Sequence, residues 1–397
     1  MPSEEFRVSW RSKSRQGGFD VRCYRKSRRG PRQNFRYGSL SKHGCIQLPA
    51  SAFLSADLAG STLYKAGVGS RLADTGSPFP VWIATIRRFY RDFPKIYARN
   101  FPKVLPIINC REDYRCPTVW KTIGDEIVFC VRVETTQHLV ACVSAFINTL
   151  KEYDGILAAD QISLGVKGTA WVAAFPGVNM TASVGELNKT DYIQEQFEID
   201  ADSIPKNFDF LGPQIDAGFR IGKHSSQERF IVSMELGWLL TKCDANGMKF
   251  GRFYYHGREV LKGVLRDRPY PIIAIDADRR PERQLVLDKQ NRLLGSTESS
   301  ANGWQIEEYL SGFFKLEGIE FPVLVGEGEN IDEKDWPSSY VIFRNNAEQE
   351  LKGIIAQEAS MDESSNVREE SDSGTGEMPE AVNVAARHTL TDAAPKS

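Results

Sequence analysis

The sequence predicts an α+β domain, because β-prone runs and amphipathic helical stretches follow one another in mixed order, without any internal repeat. Its 397 residues suffice for one large domain or two ordinary ones. A composition of 41% hydrophobic and 26% charged residues allows a sizeable core.

Residues 1–47 form a basic leader carrying Arg22, Arg25, Lys26, Arg28, Arg29, Arg32 and Arg36, with strand-like runs at Phe6–Trp10 and Phe19–Tyr24. From Cys45 an apolar, β-prone pattern runs to Ser55 and on into the small-residue turn Ala56-Asp57-Leu58-Ala59-Gly60-Ser61-Thr62. Trp82, Ile86, Phe89 and Phe93 recur at helical spacing within 80–98, where Pro94 is expected to end or kink the helix. Residues 94–117 read as a Pro-rich connection containing a short apolar run, Val104 to Ile108. Trp120 to Val133 reads as a hairpin with Gly124-Asp125 at its turn. Thr135 to Tyr153 reads as a helix with Leu139, Val143, Phe146, Ile147 and Leu150 on one side. Ile162–Phe175 and Phe230–Ser233 read as strands, and 208–222 as a strand end followed by a short helix. These pieces define a main domain over 48–240. An extension over 241–350 is expected to pack on it, with strand-like pieces at Lys249–Tyr255, Tyr270–Ile275 and Tyr340–Phe343. Residues 351–397 lose periodicity and read as an acidic, disordered tail.

Several function classes drop out. The net charge of −2, with a basic leader that lacks base-stacking aromatic spacing, gives no expectation of a nucleic-acid partner. The seven cysteines are odd in number and contain no C-x-x-C pair, so neither a zinc site nor a disulfide framework is expected, and Cys130 and Cys142 read as core residues. No signal core or membrane-length apolar run occurs, which predicts a reduced, cytoplasmic protein with no membrane attachment. His43, His138, His224, His256 and His388 are scattered without a nucleophile partner. The charge-dense run Asp276 to Arg283 reads as a solvated loop.

Two acids carry the chemical expectation. Asp57 ends an apolar strand before a Gly-Ser-Thr turn, and Asp125 sits at a hairpin tip. Carboxylates on neighbouring strand ends suit Mg²⁺ or Mn²⁺, which take oxygen ligands and favour carboxylate with phosphate. Two such ions about 4 Å apart would clamp an in-line displacement at phosphorus. The turn after Asp57 offers backbone N–H groups to phosphate oxygens. Either aspartate taken alone is more readily read as an ordinary turn or cap residue. Strand alternation turns Glu126 away, toward solvent or a cap.

Three segments, in order, resemble the class III adenylyl/guanylyl cyclase catalytic domain: Asp57-Leu58-Ala59-Gly60-Ser61-Thr62, Lys121-Thr122-Ile123-Gly124-Asp125, and Asp209 followed by Gly212-Pro213-Gln214-Ile215-Asp216-Ala217-Gly218-Phe219-Arg220. The resemblance spans roughly 48–240 and implies a ferredoxin-like mixed sheet flanked by helices. It implies that Asp57, Asp125 and the Leu58 carbonyl bind two Mn²⁺ or Mg²⁺ ions, with Phe53 near the triphosphate and Gly60, Ser61 and Thr62 cradling its β- and γ-phosphates. It implies further that Lys121 and Asp209 face the base, that Asp216 stands at a ribose- or phosphate-contacting position, and that Arg220 steadies the α-phosphate. Such domains form head-to-tail dimers, so a homodimer with two interfacial sites is expected, the metal aspartates from one protomer and Lys121, Asp209 and Arg220 from its partner.

Asp216 stands where the family has Asn, Gly165 to Ala170 matches the usual strand poorly, and Ser61 follows the turn glycine in place of Phe or Ile. The Gly-Ser-Thr turn, basic leader, missing sensor domain and carboxy-terminal extension resemble the pyrimidine cyclases of bacterial anti-phage (Pycsar) systems. That likeness implies cyclic UMP, or less favoured cyclic CMP, made from UTP or CTP with Mn²⁺ and read by a separate effector. Tyr64 or Trp120 is large enough to fill the space beside a small base, though a place in the core is the commoner explanation for both. The alternatives are an adenylate or guanylate cyclase, to which the Lys121 and Asp209 pair fits, and a non-catalytic nucleotide-binding module of the same fold.

Overall fold

The computed structural model describes residues 39–40, 46–47, 50–67, 71, 79–176, 178–183, 195–245, 252–276, 285–286, 289, 293, 302–326, 329 and 332–371. The strand-like runs of the leader, residues 277–283 and the end of the acidic tail lie outside them. Residues 1–347 form one compact unit and 348–397 a second.

A two-residue ladder joins β1 (Ser39–Leu40) to β2 (Ile46–Gln47). The main sheet is built from β3 (Ala50–Ala59), β4 (Thr118–Ile123), β5 (Glu126–Val133), β6 (Gly165–Ala174), β9 (Arg229–Val232), β10 (Phe253–Val260) and β11 (Pro269–Asp276). Its order is β10-β11-β9-β6-β3-β5-β4, antiparallel except for the β6–β9 pair. A separate ribbon pairs β7 (Met180–Ser183) with β8 (Phe208–Leu211). The helices are α1 (Ser61–Ala66), α2 (Val81–Val104), α3 (Thr136–Ala159), α4 (Glu195–Ser203), α5 (Pro213–Ile221), α6 (Met234–Ala245), α7 (Gly303–Glu317) and α8 (Ser338–Ser371). The class is thus mixed α+β, a seven-stranded sheet with helices against it.

Alternation along β3 sorts the core into two parts. Ala52, Leu54, Ala56 and Leu58 join the large cluster with Phe89, Phe93, Tyr97 and Phe101 of α2 and Leu139, Val143, Phe146 and Leu150 of α3. The opposite face carries Phe53, which gathers Trp120, Trp171, Phe175 and Phe210 into an aromatic cluster. Asp57 is four residues beyond Phe53 and therefore shares its face. Cys130 and Cys142 are buried, as their apolar neighbours led us to expect.

The structure corrects three expectations. Helix α2 runs through Pro94 and Pro102 rather than stopping at the first. An interior proline costs a helix about 3 kcal/mol, which burial of Phe89, Phe93, Ile96, Tyr97 and Phe101 outweighs. Tyr340 to Phe343 belongs to α8, not to a strand. That helix continues to Ser371, into the stretch expected to be aperiodic. The strands of 253–276, in the expected extension, join the main sheet at its β9 side.

Candidate active site

Register brings the acids together. In β3, Asp57 is the cross-strand partner of Glu126 on β5 and of Lys167 on β6. Asp125 follows Gly124, whose φ of 64° makes the tight turn between β4 and β5. The Leu58 N–H donates to the Asp125 carbonyl at 3.4 Å, so the hairpin tip is tied to β3 beside Asp57. The Tyr90 hydroxyl donates to the Gly124 carbonyl and holds the tip from the α2 side. The two carboxyl groups lie close enough to act on each other's ionisation. Gly60, with φ 86°, turns the chain from β3 into α1.

Asp57, Leu58, Gly60, Ser61, Thr62, Asp125, Glu126 and Lys167 line one polar cavity of about 390 Å³. Burial holds the Asp57 carboxyl above the ordinary carboxylate range, against the opposing pull of the Lys167 ammonium and with repulsion from Asp125 added. Burial also pushes Asp125 up, but hydrogen bonds from Ser61 and Lys65 outweigh it and leave Asp125 below that range. The pair is therefore asymmetric, with Asp57 the better proton holder. Lys167 Nζ lies 3.0 Å from Asp57 Oδ2, and Lys65 Nζ 3.2 Å from Asp125 Oδ1.

Several sequence expectations change here. Phe53 is fully buried, stacked on Trp171 at 5.5 Å between ring centroids, and does not reach the cavity. Ser61 lines the cavity with Gly60 and Thr62, and its hydroxyl also acts on Asp125. Glu126 is not turned to solvent: it lines the cavity and accepts a hydrogen bond from Ser55, and burial raises its carboxyl, helped by Asp57 and Asp125. Partners in an antiparallel ladder share a face, so Glu126 follows Asp57 rather than Asp125. The structure also adds Lys65 and Lys167, which sequence reasoning missed. The available signal for Lys167 was a lysine near the start of a mostly apolar strand.

The remaining expected residues lie apart from the acid cavity. Lys121 Nζ is 2.7 Å from Asp209 Oδ1 and 3.8 Å from the centre of the Trp120 ring. Trp120 is buried, its Nε1–H donating to the Phe208 carbonyl, so it is a core residue. Tyr64 is half-buried, with its hydroxyl 3.3 Å from that of Thr85. Asp216 and Arg220 are exposed on α5, and neither lines the acid cavity.

No family model matches the sequence, and no curated protein does. Solved structures that match part of this chain include the adenylyl cyclase CyaB from P. aeruginosa, 14% identical over 59% of this chain and 97% of that one, with a TM-score of 0.37. Another is the guanylate cyclase domain of RhGC from Catenaria anguillulae in complex with GTP, 12% identical over 58% and 97%, TM-score 0.37. A third is a bacterial light-regulated adenylyl cyclase, 12% identical over 62% and 98%, TM-score 0.35. Identity this low says nothing of substrate.

The donor set fits a hard divalent cation. Two carboxylates and a backbone carbonyl are all oxygen ligands, and such ions are held by one or two carboxylates with phosphate and water completing the shell. Among the described residues, no group of three or more His, Cys, Asp or Glu is placed to hold a metal ion. Among the same residues, no helix is long and apolar enough to cross a membrane.

Proposed function

We propose that this protein is a class III-type nucleotide cyclase that converts a pyrimidine nucleoside triphosphate, UTP before CTP, into its 3′,5′-cyclic monophosphate and pyrophosphate. One observation carries the reading: Asp57 and Asp125, 68 positions apart in the chain, meet at adjoining strand tips on a polar cavity. The preference for a pyrimidine, and a role as second-messenger synthase in anti-phage defence with a separate effector, draw their support from the Gly60-Ser61-Thr62 turn, the basic leader and the carboxy-terminal extension.

Asp57, Asp125 and the Leu58 carbonyl would hold divalent ions, Mn²⁺ or Mg²⁺, which would supply a lowered pKa for the attacking hydroxyl and positive charge against the phosphates. The backbone of Gly60 to Thr62 faces the β- and γ-phosphates. The 3′-oxygen forms its bond to the α-phosphorus as the bond to pyrophosphate breaks, and the hydroxyl proton leaves to solvent. Arg220, exposed on α5, reaches the α-phosphate of the other protomer's site, where charge grows in the transition state. Lys121 and Asp209, already paired at 2.7 Å, open toward the base edge of that same site. This division explains why one chain keeps the two sets apart.

The deciding experiment incubates the full chain with ATP, GTP, CTP and UTP separately, with Mn²⁺, and identifies products by mass spectrometry. Cyclic UMP or cyclic CMP is the expected product. Cyclic AMP alone, which the Lys121–Asp209 pair favours, would remove the pyrimidine assignment and keep the reaction. No cyclisation of any triphosphate would leave a nucleotide-binding module.

A further inference from the structure

We propose that Lys167 and Lys65 are exchangeable counter-ions of the acid pair, which neutralise Asp57 and Asp125 in the metal-free protein and pass to the triphosphate when substrate arrives. The inference rests on the cyclase reading above and adds two substrate-binding residues to it. The geometry gives each acid its own lysine: Lys167 on Asp57 at 3.0 Å and Lys65 on Asp125 at 3.2 Å. Neither contact is accidental to a loop. Lys167 is fixed directly across the ladder from Asp57, and Lys65 lies one turn along α1 from Ser61, which also binds Asp125.

Three acids, Asp57, Asp125 and Glu126, share this small cavity, and a triphosphate adds several negative charges. The oxygens that would ligate a cation are the ones the ammonium groups now hold, so both cannot be satisfied together. Side chains of these pairs remain 21–33% exposed, and ion pairs of that kind are weak. Lysine's flexible stem lets the charge swing without moving the backbone. The incoming phosphate oxygens offer the displaced ammonium groups a partner at the same moment. Lysine is thus a competitor of the metal and an ally of the nucleotide.

That pairing of roles gives opposite signs in one variant. In Lys167→Met, Mn²⁺ binding to the nucleotide-free full chain, followed by electron paramagnetic resonance, should tighten about fivefold. The KM for the triphosphate it cyclises should rise about tenfold or more in the same variant, and Lys167→Arg should restore it. Lys65→Met should behave alike. A structural role predicts that both affinities weaken together; that result, or no change in either, overturns the proposal. Asp57→Asn separates the two levels. If it keeps Mn²⁺ binding and turnover, the cyclase reading itself falls. If it loses both while Lys167→Met shifts neither quantity, only the exchange of counter-ions falls.

Discussion

His138 ties part of the acid sensitivity of the fold to one ring. It is fully buried at the start of α3, stacked on Tyr114 with ring centroids 4.5 Å apart. Its Nδ1 accepts from the Glu134 N–H at 3.2 Å and its Nε2 donates to the Arg115 carbonyl at 2.8 Å, which fixes a neutral tautomer. Burial lowers its pKa from 6.5 to about 4. A base whose folded pKa is depressed stabilises fully above its unfolded value and loses that contribution as the pH falls from 6.5 toward 4. Each unit of difference is about 1.4 kcal/mol, so the loss approaches about 3 kcal/mol. Glu198 runs the other way: its buried Oε1 has no partner among the described residues, and desolvation raises its carboxyl from 4.5 to about 7. Its stabilisation is complete at low pH and disappears as the pH rises through that window. Wild-type stability alone would therefore blur the two. The clean measurement is the difference between wild type and His138→Gln in urea unfolding at several pH values from 7.5 down to 4.5. The variant is less stable at neutral pH, and the gap should close by about 3 kcal/mol toward acid. Parallel profiles would refute a neutral buried imidazole as the cause.

By the same linkage, Glu198→Gln should be more stable than wild type at pH 8 by up to about 3 kcal/mol, with the advantage vanishing below pH 4.5, read from thermal melts against pH. Gly218→Ala should destabilise by about 1–3 kcal/mol or more, because a β-carbon there would stand 2.2 Å from the Trp171 ring; denaturant midpoints and tryptophan fluorescence would show it. If sites form between protomers, Asp57→Asn and Arg220→Ala should each be inactive alone. Mixed and re-equilibrated, they should regain roughly a quarter of wild-type turnover, since half the dimers then hold one intact site.

What the sequence revealed followed from local pattern. The hairpin was legible because Gly124 and Asp125 separate two apolar runs, and the observed strands end at Ile123 and resume at Glu126. Asp57 and Asp125 were legible as strand-tip acids, and the structure brings them close together. The partners of those acids were not, because register is a property of two strands and no local stretch of β6 announces that Lys167 will face Asp57. Phe53 failed for a related reason: alternation gives its face but not the Trp171 and Phe210 rings that close over it. Pro94 and the Val341-Ile342-Phe343 run misled because intrinsic preference is a weak guide where tertiary packing decides.

The placement of β11 between β10 and β9 has a consequence for anyone trimming this polypeptide. A recombinant fragment stopped near residue 240 would strip away Ile272, Ile273 and Ile275, all essentially solvent-free in the intact protein. It would also leave Arg229–Val232 with a row of unsatisfied amides and carbonyls. Such a piece would stick to its own kind before it could reveal any chemistry, so a dead truncation would testify to a torn sheet and to nothing about the acids.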